Sequence, residues 1–324
     1  MIGYEFKTYI ADGREHFIYG EQEVGGSSLT KKDFPFPESL LLVLTLKPEE
    51  LEEITHPIDR LLERFYRTPT AELEAEIIAG LDRLAKLHFY FEFLRLDWKW
   101  RFEQARRDGY RDVMDTLPHK QISHIPAEIM TRQVQIQTLF HEVLNAEEEK
   151  GGIPKRLVTK YQQKDADWQG RFDFVPCPLS YELTEQGKFT DVLYPKSIYD
   201  LIDFALRECL KRELRMRVCK NCGRWFAITG RITAEYCNLP LDEKGRTCRD
   251  VAAIHNWEQS RKGNDVFEAY RREYKKRFAW IKSGRVSAER FYEWSAQARM
   301  RKEDCEAGRI TLEEFQTWLG NSLC

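Results

Sequence analysis

The sequence predicts an α+β protein that is mainly α, and three observations carry that reading. Apolar residues recur at three-to-four spacing through most of residues 38–150. Short alternating runs bounded by Gly and Pro occupy the first thirty residues and return between 170 and 193. Hydrophobic residues make up 42%, charged residues 32% and aromatic residues 13% of the chain, which is a globular balance and excludes a disordered or fibrous protein. At 324 residues the chain has room for about two domains. We divide it into an N-terminal domain, 1–154, with short strands followed by a helical body, and a C-terminal domain, 155–324.

In chain order, Tyr4, Phe6 and Tyr9 lead to the turn dipeptide Asp12-Gly13, and His16–Tyr19 returns as a second strand. Leu51, Ile54, Ile58, Leu61, Leu62 and Phe65 then mark one face of a helix. Thr68-Pro69-Thr70 breaks it and restarts another, with Glu72 and Glu74 at the positive helix end. From there Leu73, Ile77, Leu81, Leu84, Leu87, Phe91, Leu94, Trp98 and Phe102 read as one long helical pattern ending near Asp108-Gly109. Residues Leu94–Phe102 also alternate at period two, but the helix continues the longer pattern. A third helix is expected over Pro126–Glu149, stopping at Gly151-Gly152.

The second half changes character. Gly170–Val175 alternates like a strand, and Leu179–Leu183 and Phe189–Leu193 flank a turn as a hairpin. Pro195-Lys196-Ser197 opens a helix whose apolar face includes Leu201, Phe204, Ala205 and Cys209. Near the C-terminus Gly284–Phe291 with Trp294 repeats, 24 residues later, as Gly308–Phe315 with Trp318. In each copy Gly ends a helix, Ser287 or Thr311 caps the next, and Val286 or Ile310 staples to Phe291 or Phe315. A C-terminal helical bundle follows from that pattern.

The chemical signal is Cys219-Lys220-Asn221-Cys222-Gly223, completed by Cys237 and Cys248 as C-x2-C-x14-C-x10-C. Two residues between the first pair let both sulfurs face one ion, and four thiolates make the closed tetrahedral shell of structural zinc. Arg224–Thr229 and Ile232–Tyr236 flank Gly230-Arg231 as a hairpin would, and Cys248 opens a helix whose dipole favours thiolate. The order knuckle, hairpin, helix over 217–256 is treble-clef-like. Two other readings are weighed: a thioredoxin-like pair at Cys219 and Cys222, and His255 in place of one Cys ligand. Cys177, Cys209, Cys305 and Cys324 are scattered, and Cys209 reads as core.

The run Cys219–Ala252, with the helix before it and the Tyr/Trp-rich helices after it, resembles an uncharacterised bacterial protein family often found with mobile genetic elements. More distantly the knuckle resembles the CGNR-type zinc finger, a resemblance that implies nucleic-acid binding. The Cys-x-x-Cys half matches; the ten-residue gap between Cys237 and Cys248 departs from that family's closely spaced second pair.

Charge points the same way. The net charge is −2, yet between residues 207 and 285 Lys and Arg outnumber Asp and Glu about two to one, and the rest of the chain is acidic. Arg212, Arg215, Arg217, Lys220, Arg224, Arg231, Arg246, Arg249, Arg261 and Lys262 are the candidate nucleic-acid contacts, with Trp225, Phe226 and Tyr236 interleaved. The alternative is a protein-interaction module with purely structural zinc, in which Trp225 and Phe226 form the finger's small core. No catalytic motif is complete. There is no phosphate loop or nucleophile elbow, His141-Glu142 lacks its second His because position 145 is Asn, and Val218 stands where a zinc deaminase has Pro. Treble-clef frameworks also host HNH-type nucleases, which draws attention to Ile254-His255-Asn256-Trp257, but such a nuclease needs a second His near the metal and the other six His all precede residue 142. The longest apolar run is Leu40–Leu44, far below a membrane span, and no basic-apolar leader is visible. A cytoplasmic, non-enzymatic, zinc-binding protein is the expectation.

Overall fold

The computed structural model describes residues 3–23, 26–147, 151–162, 170–185, 187–239, 241, 245–252 and 265–322. Its class is α+β, mainly α, as the sequence implies. The chain opens with β1 (Gly3–Ala11), β2 (Arg14–Glu23) and β3 (Gly26–Pro35), an antiparallel meander. Asp12 and Gly13 both take positive φ, 50° and 73°, which is the type I′ geometry a two-residue hairpin needs. Alternation then sorts the faces. Phe6, Ile10 and Phe17 are buried towards the helices, whereas Tyr9, Ala11 and Val192 form a small cluster on the other side.

The helical body is α1 (Glu38–Val43), α2 (Pro48–Arg67), α3 (Ala71–Leu87), α4 (Tyr90–Arg107), the single turns α5 (Val113–Thr116) and α6 (Lys120–Ser123), α7 (Ile125–Leu139) and α8 (Ile153–Gln162). Most of the expected apolar rows are buried, Leu51, Ile54, Ile58, Leu62 and Phe65 on α2, then Leu73, Ile77, Leu81 and Leu84 on α3, while Leu61 is half-buried and Leu87 is exposed. Thr70 caps α3 by accepting from the Leu73 N–H. The long pattern expected from Leu73 to Phe102 is two helices. His88 interrupts it in extended conformation; its ring bonds the Ser39 carbonyl through Nε2 and accepts the Tyr90 N–H at Nδ1. Phe89 then packs against Phe17, Tyr19 and Phe34 of the sheet, which fixes α4 across it. The helix expected over Pro126–Glu149 ends sooner. α7 gives way to a π-helical turn, Phe140–Leu144, and Asn145 leaves to bridge Met216.

β4 (Leu179–Leu183) and β5 (Phe189–Leu193) form the expected hairpin, and β5 joins β1 through Thr8↔Leu193 and Tyr9↔Val192. The five-stranded order is β3-β2-β1-β5-β4. Gly170–Val175 is not a strand. Side chains hold it instead: Arg132 covers the Phe172 ring and Asp203 accepts the Val175 N–H. α9 (Ile198–Lys211) starts with a Ser197/Asp200 capping box and buries Leu201, Phe204, Ala205 and Cys209 in the main core.

These contacts move the division of the chain. The two compact units are Met1–Cys237 and Asn238–Cys324, not 1–154 and 155–324. The boundary expected at 154 fails because β5 completes the N-terminal sheet and α9 shares its core. Within the second unit, α11 (Asp265–Lys282), α12 (Ala288–Glu306) and α13 (Leu312–Asn321) form the bundle around Phe291, Trp294, Phe315 and Leu319; α10 is the helix whose described residues are 248–252. Both repeat copies behave as read. Gly284 and Gly308 take φ of 70° and 72°, Ser287 and Thr311 cap, and Val286 and Ile310 pack on the bundle core. Among the described residues no helix is long and apolar enough to cross a membrane.

Candidate metal centre

The first half of the centre is built by two short strands. β6 (Met216–Val218) and β7 (Trp225–Ala227) pair antiparallel, with Val218 opposite Trp225, so Cys219–Arg224 becomes their connecting turn. The Cys219 N–H bonds the Arg224 carbonyl and the Gly223 N–H bonds the Cys219 carbonyl, each at 2.9 Å. Gly223 closes the turn at φ 70°, where a Cβ would be strained. This corrects the hairpin expected between 224–229 and 232–236, because β7 pairs upstream. Residues 232–235 are instead held by side chain and turn. Arg217 donates to the carbonyls of Ile232 and Ala234, and the Lys220 N–H to that of Glu235. That hold delivers Cys237, whose N–H points at the Cys219 sulfur at 3.4 Å.

Cys248 comes from the first turn of α10. Thr247 and Asp250 cap it reciprocally: Thr247 N–H and Oγ1 donate to Asp250 at 2.9 and 2.8 Å, and the Asp250 N–H returns to Thr247 Oγ1. These bonds hold the Asp250 carboxyl below its usual range. The sequence carries this cap as Thr247-x-x-Asp250 around Cys248.

The sulfurs of Cys219, Cys222, Cys237 and Cys248 all lie within 4.8 Å of one another, and none is in a disulfide. Cys219, Cys237 and Cys248 are buried and Cys222 is half-buried. The Cys222 and Cys237 sulfurs are 3.8 Å apart. Four sulfurs placed tetrahedrally about an ion at roughly 2.3 Å are separated by about 3.8 Å, so the spacing suits a shared metal. Arg224 Nε donates to Cys222 Sγ at 3.4 Å. With the Cys237 N–H it makes two N–H···S bonds, which orient the sulfurs and would offset the charge of metal-bound thiolates. The four-Cys cluster could therefore hold one metal ion with no open coordination position.

The expected nucleic-acid contacts have different fates. Arg212 is committed to Glu208 and to the Ile10 carbonyl, Arg217 to backbone carbonyls, and Lys220 to Glu235, which raises the Lys220 pKa. Arg224 serves a sulfur. Arg215, Arg231, Arg246 and Arg249 are exposed. Arg261 and Lys262 lie outside the described residues, as do His255 and the Ile254–Trp257 run. Phe226 is buried, and Trp225 is half-buried and packs edge-on against Phe140 of the main core at 5.6 Å. Cys209 is fully buried core, as read.

Residues 173–319 match the model of a family described as a family of unknown function (DUF6076). The match begins before the β4–β5 hairpin and takes in the four cysteines and most of the bundle. No curated protein and no solved structure matches the chain.

Proposed function

We propose that the chain is a non-catalytic, zinc-stabilised nucleic-acid-binding protein of regulatory role and mobile-element origin. Zinc bound by Cys219, Cys222, Cys237 and Cys248 is structural: four thiolates leave no position for substrate or water. The treble-clef-like finger then serves as a scaffold, and the resemblance to CGNR-type fingers supports the choice of partner. The observation that carries the reading is the exposure of Arg215, Arg231, Arg246 and Arg249 on a segment rich in basic residues, while the rest of the chain is acidic. Guanidinium groups suit phosphate oxygens, and contacts of this kind give affinity without base specificity.

The test is a salt titration of binding to mixed-sequence DNA and RNA oligonucleotides. We expect affinity to fall linearly on a log–log plot, and the slope to lose about one unit when a single phosphate contact is removed by Arg231→Glu. Binding that ignores salt, or no binding by the zinc-loaded protein, contradicts the proposal.

One observation favours a second reading, a protein-interaction or assembly module. β4 is an edge strand, and Leu179, Tyr181 and Leu183 with Phe189 of β5 present an exposed apolar row. A partner recovered with the protein and lost on Tyr181→Lys supports this alternative.

A further inference from the structure

The bundle carries an aromatic surface of its own, beside cations. α11 places Phe267, Tyr270, Arg271 and Tyr274 along a single stripe, at positions separated by three and four residues. Facing them on α12 are Arg299, Lys302 and Glu303, and the seven residues line a cleft of about 440 Å³. That volume is within the usual range for small-ligand sites and accommodates a nucleobase with its phosphate. Tyr270 and Tyr274 are half-buried, with ring centres 5.8 Å apart and planes tilted by 43°. Their packing against each other and of Tyr274 on Phe291 fixes the rings before any ligand arrives.

The charge of the cleft sets the sign of its occupant. Lys302 pairs with Glu306 at 2.9 Å, while Arg299 has only a 3.5 Å contact to Ser295. Arg271 is exposed and makes no ion pair among the described residues. Glu303 is the single acid on the lining, against three cations. Arg271 also borders a second cleft, between α11 and α13, which it shares with Arg272 and Lys275. That second cleft carries Asp265 and Glu268 too, so it is nearly balanced and adds no site of its own. Aromatic rings beside unneutralised guanidinium groups recognise a flat π-system attached to an anion. A single-stranded nucleic acid offers both, whereas a duplex hides its base faces in the stack. An acidic peptide would use the cations and leave the rings without a purpose.

We infer that the α11/α12 cleft binds single-stranded nucleic acid, stacking a base on Tyr270 and Tyr274 and holding its phosphate with Arg271 and Arg299. The inference rests on the nucleic-acid reading above and assigns it a second contact surface, separate in sequence from the finger.

The experiment is fluorescence anisotropy on the full-length, zinc-loaded protein. The probes are fluorescein-labelled single strands of about ten nucleotides, as RNA and as DNA, and the same sequence as duplex. Wild type should prefer the single strands. Arg271→Glu and Tyr270→Ala should each weaken single-strand binding about tenfold, with unchanged thermal stability. Arg299→Glu, on an exposed position of α12, provides the same test if Tyr270→Ala lowers the melting temperature. Polyglutamate should compete poorly. Single-strand affinity that survives both charge reversals overturns the cleft and leaves the finger contacts standing. Equal competition by polyglutamate, or a duplex preference, overturns it as well. No binding of any oligonucleotide by wild type removes both this inference and the proposed function.

Discussion

Glu15 is a carboxyl group placed where ionisation is disfavoured. It is 2% exposed on β2, and neither carboxyl oxygen has a hydrogen-bond partner among the described residues. Burial raises its pKa to about 8, opposed only in part by the nearby Ser39, and Glu38 adds to the rise. Ser39 is already bonded to the Tyr90 hydroxyl at 2.7 Å. The sign of the pH effect follows. The folded state holds this proton up to about pH 8, whereas the unfolded chain releases it near its ordinary value of 4.5. Its contribution to stability is complete below about pH 4.5 and is lost as pH rises through about 8. Glu15→Gln should therefore raise the melting temperature at pH 8 and leave it nearly unchanged at pH 4; an equal shift at both values would contradict the assignment. His88 works in the opposite direction. Burial lowers its pKa to about 4, and the neutral ring donates to Ser39 and accepts from Tyr90. None of this could be read from sequence, because Glu15 and His88 look like ordinary surface residues until the sheet and helices close over them. The four-Cys cluster was legible, because the demands of a shared metal constrain spacing along the chain itself.

At the scale of elements, local signals with a physical cause held. The β4–β5 hairpin has the bounds its alternation implies, α9 opens at Ser197, and Ser287 and Thr311 cap as expected; in the Thr68-Pro69-Thr70 restart Thr70 is the cap and Pro69 lies outside the helix. Thr311→Ala removes one side of a capping box and should cost about 1 kcal/mol in denaturant unfolding of the bundle. Failures occurred where a tertiary partner decides the outcome. Gly170–Val175 alternates without a neighbouring strand, and the α3–α4 break depends on a His88 ring bonded to distant backbone. Gly80 is another such case. It reads as a weak spot in a helix, yet a Cβ there would lie 2.5 Å from Ile58 Cγ1, because α2 and α3 approach closely at that point. Gly80→Ala should therefore destabilise by about 1–3 kcal/mol instead of giving the usual gain in helix propensity. Arg277 belongs to the same class. It is buried, stacked on Trp294 at 4.6 Å, and donates to the Leu319 and Ser322 carbonyls at the end of α13. In the sequence it is one more cation of a basic helix.

For the whole molecule, the basic stretch and the four-Cys cluster are the two features that sequence and structure share. The basic stretch is not a uniform surface. Arg212, Arg217, Arg224, Lys220 and Arg277 are spent on internal contacts, so the charge offered outward is smaller than composition suggests. The domain division was the least legible feature, since it depends on which strand joins β1, and long-range pairing leaves no mark in local composition. A four-thiolate zinc contributes folding free energy directly, so chelation should lower the melting temperature, and restoring zinc should recover it. The most direct measurement is the zinc content of the purified protein and of Cys237→Ser by elemental analysis. The account predicts one zinc per wild-type chain, with loss of the metal and of thermal stability in the variant. Wild-type protein free of metal, or a variant that keeps its zinc and its melting temperature, would contradict the assignment of Cys219, Cys222, Cys237 and Cys248 as one structural centre.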